Sequence, residues 1–166
     1  MKGRVHKLGD DINTDYIIAG KNKRDTYDPQ VMAKHLFEDL DPTLYPRIKK
    51  GDIIVAGKNF GCGSSREAAP SVIQAAGISA IIAKSFGRIF FRNAINIGLP
   101  VLECDTSGIE DGDELEVDFS KGVIINHRKR TTLPAKKPPQ AILSIFREGG
   151  LVNYLRNHKQ FEFELE

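Results

Sequence analysis

Asp52-Ile53-Ile54-Val55-Ala56-Gly57-Lys58-Asn59-Phe60-Gly61-Cys62-Gly63-Ser64-Ser65-Arg66-Glu67 is the stretch on which the fold turns. Residues 52–56 read as a buried strand, Gly57 to Gly63 as a glycine-rich loop, and Ser64 or Ser65 to Ala76 as a helix stopped by Gly77. Downstream, Ile78 to Ala83 is a second buried strand. Ser85 then caps a helix carrying Ile89, Phe90, Ile95 and Ile97 and ending at Gly98, and Leu99 to Leu102 is a third strand. Strand–helix–strand–helix–strand defines an α/β core. Residues 113–133 alternate apolar and polar, as in Leu115, Val117 and Phe119, and add an antiparallel part. Pro139 opens a helix through Phe146, Gly149-Gly150 stop it, and Leu151 to Asn157 form another. Upstream, Lys2 to Leu8 reads as a strand, Asp10 to Asp15 as a polar turn, and Tyr16 to Ala19 as a short strand. Gly20 to Tyr27 is a cationic loop. Asp28-Pro29 starts a helix with Met32, Leu36 and Leu40 on one face, broken by Pro42 and Pro46. The whole, residues 1–166, reads as one α/β domain with no internal repeat.

Composition removes several classes of function. The 166 residues suffice for one real core, and 40% hydrophobic with 28% charged residues is a soluble profile. A net charge of +2 lacks the basic excess of a protein that tracks phosphates, so no nucleic-acid partner is expected. No apolar run reaches the ~20 residues of a membrane helix. Met1 to His6 lacks the apolar core of a signal peptide, which makes a cytoplasmic chain the expectation. The two cysteines, Cys62 and Cys104, are too few to hold an iron–sulfur cluster. If such a cluster serves the chemistry, another polypeptide carries most or all of its ligands.

The glycine loop holds the chemistry. Its glycines let the backbone take positive φ and approach a ligand closely. A helix start directs unpaired N–H groups toward a bound anion, and Arg66 adds a planar fork suited to a carboxylate. Ser64 stands where its own oxygen could be that anion. The spacing fits neither a P-loop, a dinucleotide fingerprint nor a nucleophile elbow. On spacing alone, a small-anion site and a plain turn whose serines cap a helix fit equally well.

Five segments together resemble one family. Gly61-Cys62-Gly63-Ser64-Ser65-Arg66-Glu67 resembles the Gly-x-Gly-Ser-Ser-Arg-Glu signature of the aconitase superfamily's swivelling domain. Gly9 to Asp15 resembles its N-terminal Gly-Asp-(Asn/Asp)-Ile-(Asp/Asn)-Thr-Asp motif. The strand segment Gly51 to Gly57, the block Ala83 to Pro100 and the ending Gly149-Gly150-Leu151-Val152-Asn153-Tyr154-Leu155 follow in order. One departure is Gly87, where the family commonly has alanine. The length is that of a separate small subunit of the isopropylmalate dehydratase and homoaconitase type.

The resemblance implies a swivelling β/β/α three-layer fold with a mixed sheet, and a large partner subunit in a heterodimer or heterotetramer. The partner would carry a [4Fe–4S] cluster held by three cysteines, with no metal or cofactor bound by this chain. The activity implied is a hydro-lyase moving a hydroxyl between neighbouring carbons of a hydroxy diacid, nominally isopropylmalate in leucine biosynthesis. Alternatives are homoaconitase, another methylated-malate hydro-lyase (citramalate or 2,3-dimethylmalate) and, in a different class, a non-catalytic anion-binding module. Carried over by motif, Ser64 is the catalytic base, Ser65 and Arg66 bind substrate carboxylate, and Gly61, Cys62 and Gly63 form the anion loop. Arg24 falls near the arginine that reads a distal carboxylate in homoaconitase, in a loop longer by one residue; the alternative is a solvated charged segment. Cys62 reads as a packing residue, and Lys84, Arg88 and Arg92 as salt-bridge or subunit-contact residues. His6, His35, His127 and His158 show no metal spacing, and Asp10 and Asp15 read as turn residues.

Overall fold

A computed structural model describes residues 1–23 and 26–158. In chain order the elements are β1 (Lys2–Lys7), α1 (Thr14–Ile17), α2 (Pro29–Met32), α3 (Leu44–Arg47), β2 (Ile53–Ala56), α4 (Ala68–Ala75), β3 (Ala80–Ala83), α5 (Arg88–Asn96), β4 (Val101–Glu103), β5 (Glu114–Asp118), β6 (Val123–Asn126), β7 (Thr131–Pro134), α6 (Gln140–Arg147) and α7 (Leu151–Asn157). The seven strands form a mixed sheet in the order β4-β3-β2-β1-β5-β6-β7. β1 to β4 pair in parallel, whereas β5, β6 and β7 pair antiparallel and join through β1.

The parallel strands are buried on both faces, and their near-continuous aliphatic runs follow from that. Ile54, Ala56, Ile81, Ala83 and Val101 face the helices. Ile53, Val55, Ile82 and Leu102 face the other way and pack against Val5, Leu115, Val117 and Ile124. The antiparallel half therefore curls back across the parallel half. An antiparallel bridge between Cys104 and Ala135 and a 2.9 Å bond from Lys136 N to Glu103 O bring the end of β7 to the end of β4. Helices, parallel strands and antiparallel strands make the three layers expected.

Four local expectations give way. Residues 14–17 are helical, because Asn13 caps them: its side chain accepts from Tyr16 N at 2.9 Å, which outweighs the β-branched run. The amphipathic helix from Asp28 stops after Met32, runs on as a 3₁₀ turn to His35, and ends at Phe37 rather than at a proline. Phe37 takes a φ of 57° and is fully buried, while Leu40 is exposed. Pro46 lies inside α3. Ser85 does not cap α5; its Oγ accepts from Asn59 N at 2.9 Å, and Gly87 is the capping position.

One buried carboxylate ties the antiparallel half together. Asp113 Oδ2 accepts from Glu110 N at 2.9 Å and from Asn126 Nδ2 at 2.7 Å, tying the approach to β5 to the end of β6. Burial pushes its carboxyl up, but the Glu110 and Asn126 bonds and the nearby Lys129 and Arg128 charges outweigh that and hold it below its ordinary value. A depressed carboxyl adds stability that is present above the unfolded pKa, about 3.9, and is lost as pH falls through the lower folded value. Asp113→Asn is therefore expected to lose about 1–3 kcal/mol at neutral pH, with the deficit closing below about pH 4. Urea unfolding of both proteins across that range checks it; a deficit independent of pH would remove the charge from the account.

Candidate active site

Three connections leave the C-terminal ends of adjacent parallel strands and meet, as ligand sites in open α/β sheets do. They follow β1 (residues 8–14), β2 (57–67) and β3 (84–87). The backbone of the middle one is stitched to both neighbours. Gly57 N bonds Gly9 O at 3.0 Å and Gly61 N bonds Ile12 O at 2.7 Å on one side. Lys84 N bonds Gly57 O at 3.0 Å, Phe60 N bonds Ser85 O at 3.0 Å and Gly87 N bonds Phe60 O at 2.8 Å on the other. The loop thus continues the parallel sheet to Cys62, where a parallel bridge joins Asn13.

Its floor is aromatic. Phe60, fully buried, meets Phe90 edge-on at a centroid distance of 5.2 Å and Phe86 at 6.2 Å. Gly61 sits over that floor at φ 75°, and a Cβ there would overlap the Phe90 ring. Gly63, at φ 92°, turns the chain outward with no atom nearer than 3.6 Å to a would-be Cβ. Gly87 is packed against the loop as well. A Cβ there would lie 2.6 Å from Gly61 O, so the alanine usual in the resembled family requires the loop to withdraw.

Beyond Gly63 the chain comes to the surface. Ser64 and Ser65 are exposed. The helix expected to begin with them begins at Ala68, with Glu67 in the capping position, so both serines precede α4. Arg66 folds back: its Nη2 pairs with Asp15 Oδ1, and its side chain is 20% exposed. Gly20 leaves room for that guanidinium, since a Cβ there would lie 3.4 Å from Nη1. Arg66 Nε is buried without a hydrogen-bond partner. A buried charged donor left unpaired is costly, which makes it a place for an incoming acceptor. Gly61, Cys62, Gly63, Gly87, Arg88 and Ile89 line an open cleft of about 220 Å³ beside the serines.

Ser64, Ser65, Arg66, Gly61, Cys62 and Gly63 are thus one contiguous surface. Arg24 lies outside the described residues. Lys21, from the same loop, bonds Asp39 Oδ1 at 2.7 Å, and that carboxylate raises its pKa. Lys84 bonds Ser107 Oγ at 2.6 Å and lies 3.4 Å from Asp105, the ion pairing expected of it. His6 is buried and bonds Asp52 Oδ2 at 2.7 Å, on the strand rather than at the site. Asp10 is a turn residue, its Oδ1 accepting from Lys58 N at 2.7 Å. Asp15 is more than that, and Thr14 was not singled out at all. Their contacts with residues 62–66 join positions about fifty apart, and no pattern in the sequence marks them.

Among the described residues no group of three or more His, Cys, Asp and Glu side chains is placed to hold a metal ion. Cys104 is buried beside Pro134, away from half-buried Cys62, and burial raises its thiol pKa, followed by the Asp105 charge.

This fold and this loop define a class, and residues 12–107 match the aconitase C-terminal domain. Within that class the likeness narrows. The chain is 55% identical over 159 residues to 3-isopropylmalate dehydratase small subunit 1 of Archaeoglobus fulgidus, covering 95% of this chain and 98% of that one. It is 52% identical over 158 residues to small subunit 2 of the same organism, covering 95% and 96%. The crystal structure of 3-isopropylmalate dehydratase from Methanocaldococcus jannaschii superposes with a TM-score of 0.91 at 49% identity, covering 95% of this chain and 94% of that one. The chain belongs to the family of 3-isopropylmalate dehydratase small subunits, hydro-lyase components of the aconitase type.

The two positive-φ glycines separate packing from conformation. Gly61→Ala meets the Phe90 ring as well as backbone strain, and about 2–5 kcal/mol of stability should be lost. Gly63→Ala faces the strain alone, about 1–2 kcal/mol. Equal losses in urea unfolding would mean that Phe90 yields freely and does not fix the loop.

Proposed function

We propose that residues 1–166 act as one swivelling domain, the small subunit of a cytoplasmic hydro-lyase converting 2-isopropylmalate to 3-isopropylmalate in leucine biosynthesis. The observation that carries the site assignment is the buried, unpaired Nε of Arg66 beside two exposed serines. It offers a substrate carboxylate a charged donor in a fixed plane. Ser65 adds a hydroxyl to the same carboxylate. Ser64, as alkoxide, takes the proton from the carbon next to the one bearing hydroxyl. The hydroxyl leaves as water by taking a proton from a donor outside this chain, and an alkene remains. Water then returns with its hydroxyl on the other carbon, Ser64 gives its proton to the carbon that first bore hydroxyl, and the donor recovers the proton that the water releases.

A serine hydroxyl is a weak acid in water, and Ser64 stands in water in the isolated chain. Its oxyanion is stabilised only when solvent is excluded and the loop N–H groups and Arg66 act at low dielectric. The partner that covers it is a large subunit, in a heterodimer or heterotetramer. A [4Fe–4S] cluster on that subunit would supply Lewis-acid chemistry at the hydroxyl, which this chain does not provide. Arg24 is assigned to the substrate's variable group. A cation there favours a distal carboxylate over an isopropyl group, so the Lys21–Arg24 segment makes the substrate preference a direct question.

In the complex with the large subunit, Ser64→Ala should fold and assemble yet lose nearly all turnover, with Ser65→Ala milder. Near-normal kcat in Ser64→Ala removes it from the role of base. Arg24→Val, assayed on a panel of malates, should lower kcat/KM for substrates with a distal carboxylate and raise it for alkylmalates. An equal response by both classes means that the loop does not select.

A further inference from the structure

Thr14 holds the glycine loop at two points, with one residue between them. Its backbone N–H donates to Cys62 O at 2.9 Å. Its hydroxyl Oγ1 donates to Ser64 O at 2.9 Å. Thr14 is itself buried, at 3% exposure, at the start of α1, where the Asn13 cap fixes its backbone. Between its two acceptors lies Gly63, whose would-be Cβ stands 3.7 Å from Thr14 Oγ1. One side chain and its own amide therefore grip the carbonyls on either side of the turn.

The grip has a consequence for the other side of each peptide. In a planar trans peptide the C=O and the following N–H point in opposite directions, and the described residues contain no cis bond. With the Cys62 and Ser64 carbonyls drawn down to Thr14, the N–H groups of Gly63 and Ser65 are aimed the opposite way, toward the exposed face. Neither N–H has an acceptor within the described residues. These two unpaired donors, one on each side of Ser64, are available to negative charge.

We propose that Thr14 is a positioning residue of the reaction: its double clamp aims the Gly63 and Ser65 amides at the negative charge of the Ser64 alkoxide. The proposal rests on the assignment of Ser64 as base. Losing the hydroxyl releases one carbonyl, lets the Ser64–Ser65 peptide rotate, and removes one oriented donor while leaving Arg66 and its carboxylate pairing in place. The loss thus falls on the fraction of Ser64 present as alkoxide, which enters kcat, more than on substrate binding.

The test uses the complex with the large subunit and compares Thr14→Val, Thr14→Ser and Ser64→Ala, with assembly checked by size and thermal unfolding. Thr14→Val is isosteric and keeps the backbone N–H. Its kcat should fall about a hundredfold with a much smaller change in KM, and the acid limb of its kcat–pH profile should move to higher pH, because the alkoxide is less stabilised. Thr14→Ser, which restores the hydroxyl, should recover both. If valine disturbs assembly, Thr14→Ala is read by the same two quantities. Wild-type kcat and pH profile in Thr14→Val, with Ser64→Ala inactive, overturn the proposal and leave the base assignment standing. A loss that serine does not rescue, or one without movement of the pH limb, also overturns it by reducing Thr14 to a packing residue. An active Ser64→Ala overturns the base assignment instead.

Discussion

Parallel pairing of β2 between β1 and β3 is the constraint on which the rest of the molecule depends. It places three strand ends side by side and lets three connections continue as near-strands beyond the sheet. The loop after β2 inherits a neighbour on each side and bonds to both before it turns at Gly61 and Gly63. A glycine loop tethered at one edge only would be free to move. This one bonds to its neighbours down to Cys62 and is gripped again by Thr14 at the Ser64 carbonyl, so that the two exposed serines stand on a rigid base.

That division between a fixed backbone and an exposed pair of hydroxyls accounts for a small subunit of this kind. Precision in the loop comes from burial: Phe60 and Phe90 beneath it, Gly87 against its carbonyl, Thr14 across its turn. Reactivity requires the opposite of exposure, because water screens every donor the loop offers. On the function proposed, the chain supplies an oriented but unsealed half-site. Arg66 marks the boundary, one end neutralised by Asp15 and the Nε left without an acceptor.

Much of this was legible in the sequence, for reasons that differ by element. The parallel strands were readable because burial on both faces demands aliphatic runs such as Ile53 to Ala56, and the bounds of α7 were readable because Gly149-Gly150 isolate it. The motif residues of the loop were readable by resemblance. The curl of the sheet was not, since the Cys104–Ala135 bridge joins residues with no local signature of contact. Helix α1 departs from the short strand expected over Tyr16 to Ala19 because the Asn13 side chain caps residues 14–17. Phe37 at positive φ defeated the helical period, since burying its ring requires the chain to turn. The Thr14 clamp and the Asp15–Arg66 pair lay hidden for a simpler reason. Each joins residues about fifty positions apart through atoms whose meeting only the fold decides.

The claim that the site is an unsealed half is tested most directly by complementation. Turnover of 2-isopropylmalate is measured under anaerobic conditions with this chain alone, with its large subunit alone, and with the two mixed. The account predicts no turnover from either part and turnover that rises with added chain until a stoichiometric complex is formed. Turnover by the isolated chain would contradict it, because a serine standing in water would then be sufficient for the chemistry.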